Sequence, residues 1–217
     1  AQGNHYEWGP YLSPFYSPNL KELIPGLANI FPFSPSFLIL WAPLGFRGTC
    51  YFYRRAYYRA FFWSPPACAV QAGDPKPHKY RGETIFPFIL QNFHRYFFYV
   101  AAILAILHWW HAACAFNFGG HFGVGVGTLV ILLDALLLTL YVFSCHSWRH
   151  LLGGKVDCFT CDPVTEKRHE AWTKQTKLNE HHMFFAWTSM FTVGFCDLYI
   201  RMVSMGVIPD IQLFLLK

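Results

Sequence analysis

VGTLVILLDALLLTLYVFSCH, residues 126–146, decides the fold. It is a continuous apolar run with one acidic residue, Asp134, near its middle, and roughly 20 apolar residues suffice to cross a bilayer. Three further runs flank it. One extends from near Phe88 to about Phe116, one from around Leu178 to about Met205, and a shorter one, FLILWAPLGFRGTCYFY, from 37 to 53. Pro43 and Gly45 predict a kink in the shortest, and Arg47 inside it is a charge that needs a partner in hydrocarbon. The expectation is an all-α integral membrane bundle of four transmembrane helices, or five if another precedes residue 1.

Composition agrees. Of 217 residues 54% are hydrophobic and 13% charged, against about 25% charged in a soluble domain. Aromatic residues, 20% of the chain, cluster near the ends of the apolar runs, as anchoring at headgroup level asks. Six prolines among residues 1–35 forbid a long helix there, so that stretch is expected to be an aromatic interfacial segment, with the bundle in 36–217. Lysines and arginines gather in two loops, 54–87 and 147–177, and none lies between Asn117 and Gly125. The positive-inside rule puts the two basic loops in the cytoplasm. Such a distribution does not form the single basic stripe that nucleic acid would require. Three local readings follow. Asp197 and Arg201, four apart, are expected to pair. Asp134 is expected to find a hydrogen bond. The glycines from Gly119 to Gly127 are expected to permit tight turns and close helix approach.

The cytoplasmic ends of the four runs carry Cys50, Cys68, His94, Cys145, His146, His150, His181 and His182. Intramembrane ionisable residues are functional candidates by default, although a single interfacial histidine more often serves a headgroup or a carbonyl. Two chemistries suit the set. A b-type haem needs two imidazoles from different helices. A Rieske-type [2Fe–2S] cluster needs two thiolates and two imidazoles, and only it uses the cysteines. Cys114 and Cys196 read as packing. Cys158-Phe159-Thr160-Cys161 is half of a zinc or redox motif, with His169 nearby. A non-redox scaffold or transporter is the remaining class, but transport predicts internal repeats and the chain shows none.

The stretches GFRGTCYFYRRAYYRAFFWSPPACAV (45–70), RGETIFPFILQNFHRYFFY (81–99), GVGVGTLVILL (123–133), SCHSWRHLLGG (144–154) and LNEHHMFFAW (178–187), with the opening HYEWGPYLSPFYSP, resemble one family. It is the single-chain, cytochrome-b-like SdhC anchor of respiratory succinate dehydrogenase (complex II), in the class with a membrane-embedded Rieske-type [2Fe–2S] cluster. The resemblance implies a multi-pass subunit of a bacterial plasma membrane. It implies a flavoprotein subunit oxidising succinate, an iron–sulfur subunit relaying electrons, and menaquinone as acceptor. It further implies Cys50 and Cys68 as thiolates, and His94, His146, His150 and His182 as the pool of imidazoles, with His94 and His182 the first choice. Arg95, Tyr58 and Trp148 are the expected quinone contacts, and Arg54, Arg55 and Arg59 the expected docking residues for the iron–sulfur partner.

Overall fold

A computed structural model describes residues 5–24, 26, 33–34, 36–54, 84, 86, 88–154 and 156–216. An amino-terminal hairpin, β1 (Glu7–Trp8) and β2 (Tyr11–Leu12), leads through a 3-10 turn, Pro14–Tyr16, to the short helix α1, Leu20–Leu23. The bundle consists of α2 (Phe37–Thr49), α3 (His94–Cys114), α4 (Val126–Phe143) and α7 (His182–Ser204). Three stretches are long and apolar enough to span a bilayer: Ile89–Cys114, Val126–Phe143 and His182–Ser204.

The fourth helix is shorter than its sequence suggests. α2 has 13 residues, about 20 Å at 1.5 Å per residue, against a hydrocarbon core of about 30 Å. It stops because Cys50 turns to extended backbone, φ −65° and ψ 133°; residues 51–54 then resume helical turns. α3 likewise begins at His94 rather than Phe88, with Phe88–Phe93 wound as a 3-10 turn in front of it.

The stretch expected to be a loop at 147–177 instead holds two helices, α5 (His146–Gly153) and α6 (Pro163–Glu180). Asp162 caps α6 by accepting from the N–H groups of Val164 and Thr165, with Pro163 in the first helical turn, where its missing N–H costs nothing. The Thr165 and Val164 amides hold the Asp162 carboxyl below its ordinary range. A break at His181 separates α6 from α7.

Side-chain burial has the sense of a membrane bundle. Ile103, Ile106, Leu133, Phe191 and Phe195 face outward, while Ala101, Ala105, Thr128, Asp134, Ser189 and Cys196 lie inside. Small and polar residues let helices approach and hydrogen-bond where lipid supplies no hydrophobic drive between them. Arg47, the expensive charge of α2, finds no carboxylate among the described residues. It donates to Tyr53 Oη (2.6 Å), the Ala186 carbonyl (2.9 Å) and Ser189 Oγ (3.0 Å), and lies over the Tyr141 ring at 4.5 Å.

The end of the bundle away from the basic loops is closed by a three-stranded antiparallel sheet, β3 (Asn117–Phe118), β4 (His121–Gly125) and β5 (Gln212–Leu215). Asp210 is the knot there, accepting from Tyr11 Oη (2.8 Å), Tyr199 Oη (2.7 Å) and the Gly127 amide (3.0 Å). Any side chain at Gly127 would strike the Tyr11 ring, so this glycine serves the close approach expected of it. Asp197 and Arg201 pair at 2.8 Å as expected, and Ser13 Oγ donates to the other Asp197 oxygen.

Candidate functional site

The dipeptide Thr49-Cys50 ends α2, and a second hydroxyl–cysteine dipeptide, Ser144-Cys145, joins α4 to α5. Each puts a thiol at the start of helical backbone. The Arg54 amide donates to the Cys50 carbonyl (2.8 Å), and Cys145 caps α5, its Sγ accepting from the Ser147 amide at 3.4 Å. Both cysteines are buried, at 2% and 1% exposure.

Two histidines meet these thiols in a crossed arrangement. His94 opens α3, and its Nε2 lies 3.1 Å from Cys145 Sγ. His182 opens α7, and its Nε2 lies 3.5 Å from Cys50 Sγ. The other ring nitrogens are held by the hydroxyls beside the opposite cysteines. His94 Nδ1 meets Thr49 Oγ1 at 2.8 Å, and His182 Nδ1 meets Ser144 Oγ at 2.7 Å.

Donor accounting assigns the tautomers. Thr49 gives its proton to the Gly45 carbonyl (2.7 Å), so its oxygen accepts from the Nδ1–H of His94. Ser144 donates to the Tyr141 carbonyl (3.1 Å) and accepts from the Nδ1–H of His182. Each Nε2 is left with a lone pair facing the thiols, and such a hydroxyl behind the ring is how a protein orients a ligating imidazole. Aromatic rings brace both: Phe46 stacks on His94 at 4.8 Å and Tyr141 on His182 at 5.1 Å.

These four donors stand as two cysteine–histidine pairs. Among the described residues no three histidine, cysteine or acidic side chains converge on a point that would hold a single ion. Two neutral imidazoles and two thiols at helix starts fit the donor chemistry of a two-iron cluster. A cavity of about 640 Å³ opens over them, with Arg54, Arg95 and His146 at its wall.

Of the residues singled out in the sequence, Cys50, His94 and His182 meet here. Cys68 and Tyr58 lie outside the described residues, as do Arg55 and Arg59. His146 is exposed on the cavity wall, apart from the two pairs. His150 is turned away, accepting at Nδ1 from Arg95 at 2.9 Å. Trp148 packs against Phe98 and Phe143 rather than lining the cavity. Cys158 and Cys161 are joined to each other as a disulfide. Cys145 was visible in the sequence only as one cysteine among several at this depth. The signal that would have selected it is the repeat of a hydroxyl residue directly before cysteine at two helix ends.

The model of one family, described as actinobacterial succinate dehydrogenase subunit SdhC, matches residues 1–206. A chain of the solved Mycobacterium smegmatis Sdh1 complex in the apo form is similar in fold, with 40% sequence identity and a TM-score of 0.81. The match covers 98% of the present chain and 82% of that one. No curated protein matches.

Proposed function

The chain belongs to the actinobacterial SdhC family of succinate dehydrogenase membrane anchors, and from that premise we propose that it passes electrons from an iron–sulfur partner to menaquinone, with Cys50, Cys145, His94 and His182 holding a [2Fe–2S] cluster. The observation that carries the reading is the crossed pairing, with each Nε2 set against a thiol and a hydroxyl against each Nδ1 behind it. When bound, such a cluster supplies one-electron transfer at a potential raised by imidazole ligation.

The chain's own residues provide the housing. Thr49 and Ser144 fix the rings, and Phe46 and Tyr141 keep water from their faces. Arg54 and Arg95, beside the opening on the basic-loop side, suit docking of a partner that brings electrons. Succinate chemistry belongs to a flavoprotein subunit, and the assembly would sit in the bacterial plasma membrane, linking succinate oxidation in the tricarboxylic acid cycle to the respiratory chain.

The test is a low-temperature EPR spectrum of the dithionite-reduced complex, wild type against a His94→Ala/His182→Ala variant. The expected result is a Rieske-like signal that disappears in the variant together with quinone reduction. A wild-type complex showing a b-type haem band and no such signal would overturn the reading.

A further inference from the structure

The loop between α5 and α6 carries Cys158-Phe159-Thr160-Cys161, a motif that the electron-transfer reading leaves unused. Its two sulfurs are joined to each other. The loop belongs to the basic stretch 147–177, which the positive-inside rule puts in the cytoplasm. Cytosolic thiols are kept reduced, and a disulfide found there is usually transient, serving catalysis or redox sensing. Cys161 is exposed and Cys158 half-buried, so one sulfur is open to attack, and exposed disulfides are the labile kind. A zinc site is the other use of such a spacing, but it needs four donors. His169 lies with its ring stacked on Phe159 at 4.7 Å, and among the described residues no three histidine, cysteine or acidic side chains gather to hold an ion.

Phe159, held between the two cysteines, ties the disulfide to the helices. It stacks on His169 and, at 6.4 Å, on Trp172, and those two rings of α6 stack on each other at 6.0 Å. Arg149 of α5 lies over the Trp172 ring at 4.7 Å, and a side chain at Gly153 would strike that same ring. Arg168 adds two hydrogen bonds from α6 to the end of α5, donating to the carbonyls of Leu152 (2.8 Å) and Gly154 (3.1 Å). The Arg149 amide in turn donates to the Cys145 carbonyl at 3.2 Å. The sulfur bridge thus pins Phe159 at one end of a continuous stack whose other end is the first turn of α5.

We propose that Cys158–Cys161 is a reversible thiol–disulfide exchange site for a small dithiol protein of the cytoplasm, and that its reduction loosens α5 from α6. In the reductive step a thiolate of the dithiol protein attacks Cys161 Sγ, the Cys158–Cys161 bond breaks, and Cys158 leaves as a thiolate that takes up a proton. The partner's second thiol loses its proton and attacks the mixed disulfide, and Cys161 leaves and is protonated in its turn. The chain gains two electrons and two protons, and the partner is left as a disulfide. Oxidation is the same exchange run backwards against an oxidised partner. With the bond open, Phe159 is free to turn away from His169 and Trp172, leaving α5 only the Arg149 contact and the Arg168 bonds. The chain is the substrate of this exchange and not its catalyst. A CxxC oxidoreductase carries its motif beside a βαβ unit, whereas the three-stranded sheet here closes the opposite end of the bundle.

The experiment uses the assembled complex in native membranes. After incubation with a thioredoxin-class dithiol protein kept reduced, the sample is acid-quenched and denatured, and its thiols are tagged with a maleimide of known mass. A shift of two tags per chain relative to the air-oxidised complex supports the site. The same tag count in both states overturns it, as does zinc that copurifies with the wild type and is lost from Cys158→Ser/Cys161→Ser. A form of the dithiol protein lacking its second thiol should be captured on Cys161, and capture on no cysteine of the loop overturns the exchange. Amides of residues 146–153 should exchange hydrogen faster in the reduced complex, as a locally loosened helix does, and equal rates overturn the link to α5. The Cys158→Ser/Cys161→Ser variant should exchange at the reduced rate and ignore the dithiol protein. If that variant fails to assemble, the wild-type tag count decides. Absence of a cluster signal in wild type would defeat the electron-transfer reading and leave the tag count untouched.

Discussion

The two ends of this bundle use their polar side chains in opposite ways. Away from the basic loops, Asp210 and Asp197 are each answered by more than one donor. Asp210 accepts from two tyrosines and an amide, and Asp197 is shared by Arg201 and Ser13. At the basic-loop end, His94 and His182 spend their N–H groups on Thr49 and Ser144, and the acceptor nitrogens face thiols. A satisfied network stabilises the fold, whereas lone pairs directed together are receptive. Burial of polar groups alone does not separate the two, but a count of donors against acceptors does.

The strongest way to break this contrast is to remove a thiol. Cys145→Ser should abolish the EPR signal and reduce quinone reduction to background, while Cys68→Ser should keep both. The reverse result would move the thiolate pair to Cys50 and Cys68 and leave Cys145 as a packed cap. A smaller effect is expected when the rings lose their supports. Thr49→Val or Ser144→Ala should leave the four donors present but loosely oriented, weakening cluster retention about 10- to 100-fold, the usual price of lost outer contacts. Iron and sulfide content after chelator challenge measures it. The mildest change belongs to the other end. Tyr11→Phe removes one donor from Asp210 and should lower stability by about 1.5–3 kcal/mol, read from denaturant unfolding in detergent, with the EPR signal unaltered. A lost signal in that variant would show that the two ends are coupled rather than separate.

Much of this arrangement was legible in the sequence because hydrophobic length and helix period are local properties. The three long spans, the Asp197–Arg201 pair and the depth of Cys50, His94 and His182 all follow from them. α2 is shorter than its run implies, since FLILWAPLGFRGTCYFY stays mostly apolar to its end and nothing in its hydropathy marks the extended backbone at Cys50. Asp162-Pro163 is a helix-start signal inside the 147–177 stretch, whose polar, basic composition between two spans by itself suggests a loop. Hydropathy assigns Cys145 and Cys68 to the same expected end of the apolar runs and so does not choose between them. His94, the partner of Cys145, lies 51 residues away, and only the packing of α3 against α4 and α5 brings the two together.

The sheet at the far end also sets an order of events during synthesis. α3 and α4 emerge early, joined by the turn that holds β3 and β4, but the strand that completes the sheet is β5, and the Val126 amide bonds to the Ile211 carbonyl at 3.0 Å. Asp210, the knot for Tyr11, Tyr199 and Gly127, emerges with that same late stretch. A nascent chain that has already inserted all four bundle helices therefore still has an unlatched outer end. A stretch translated after all four bundle helices fastens the amino-terminal hairpin, so quality control acting on a chain stalled before Asp210 would meet an open turn rather than a finished bundle.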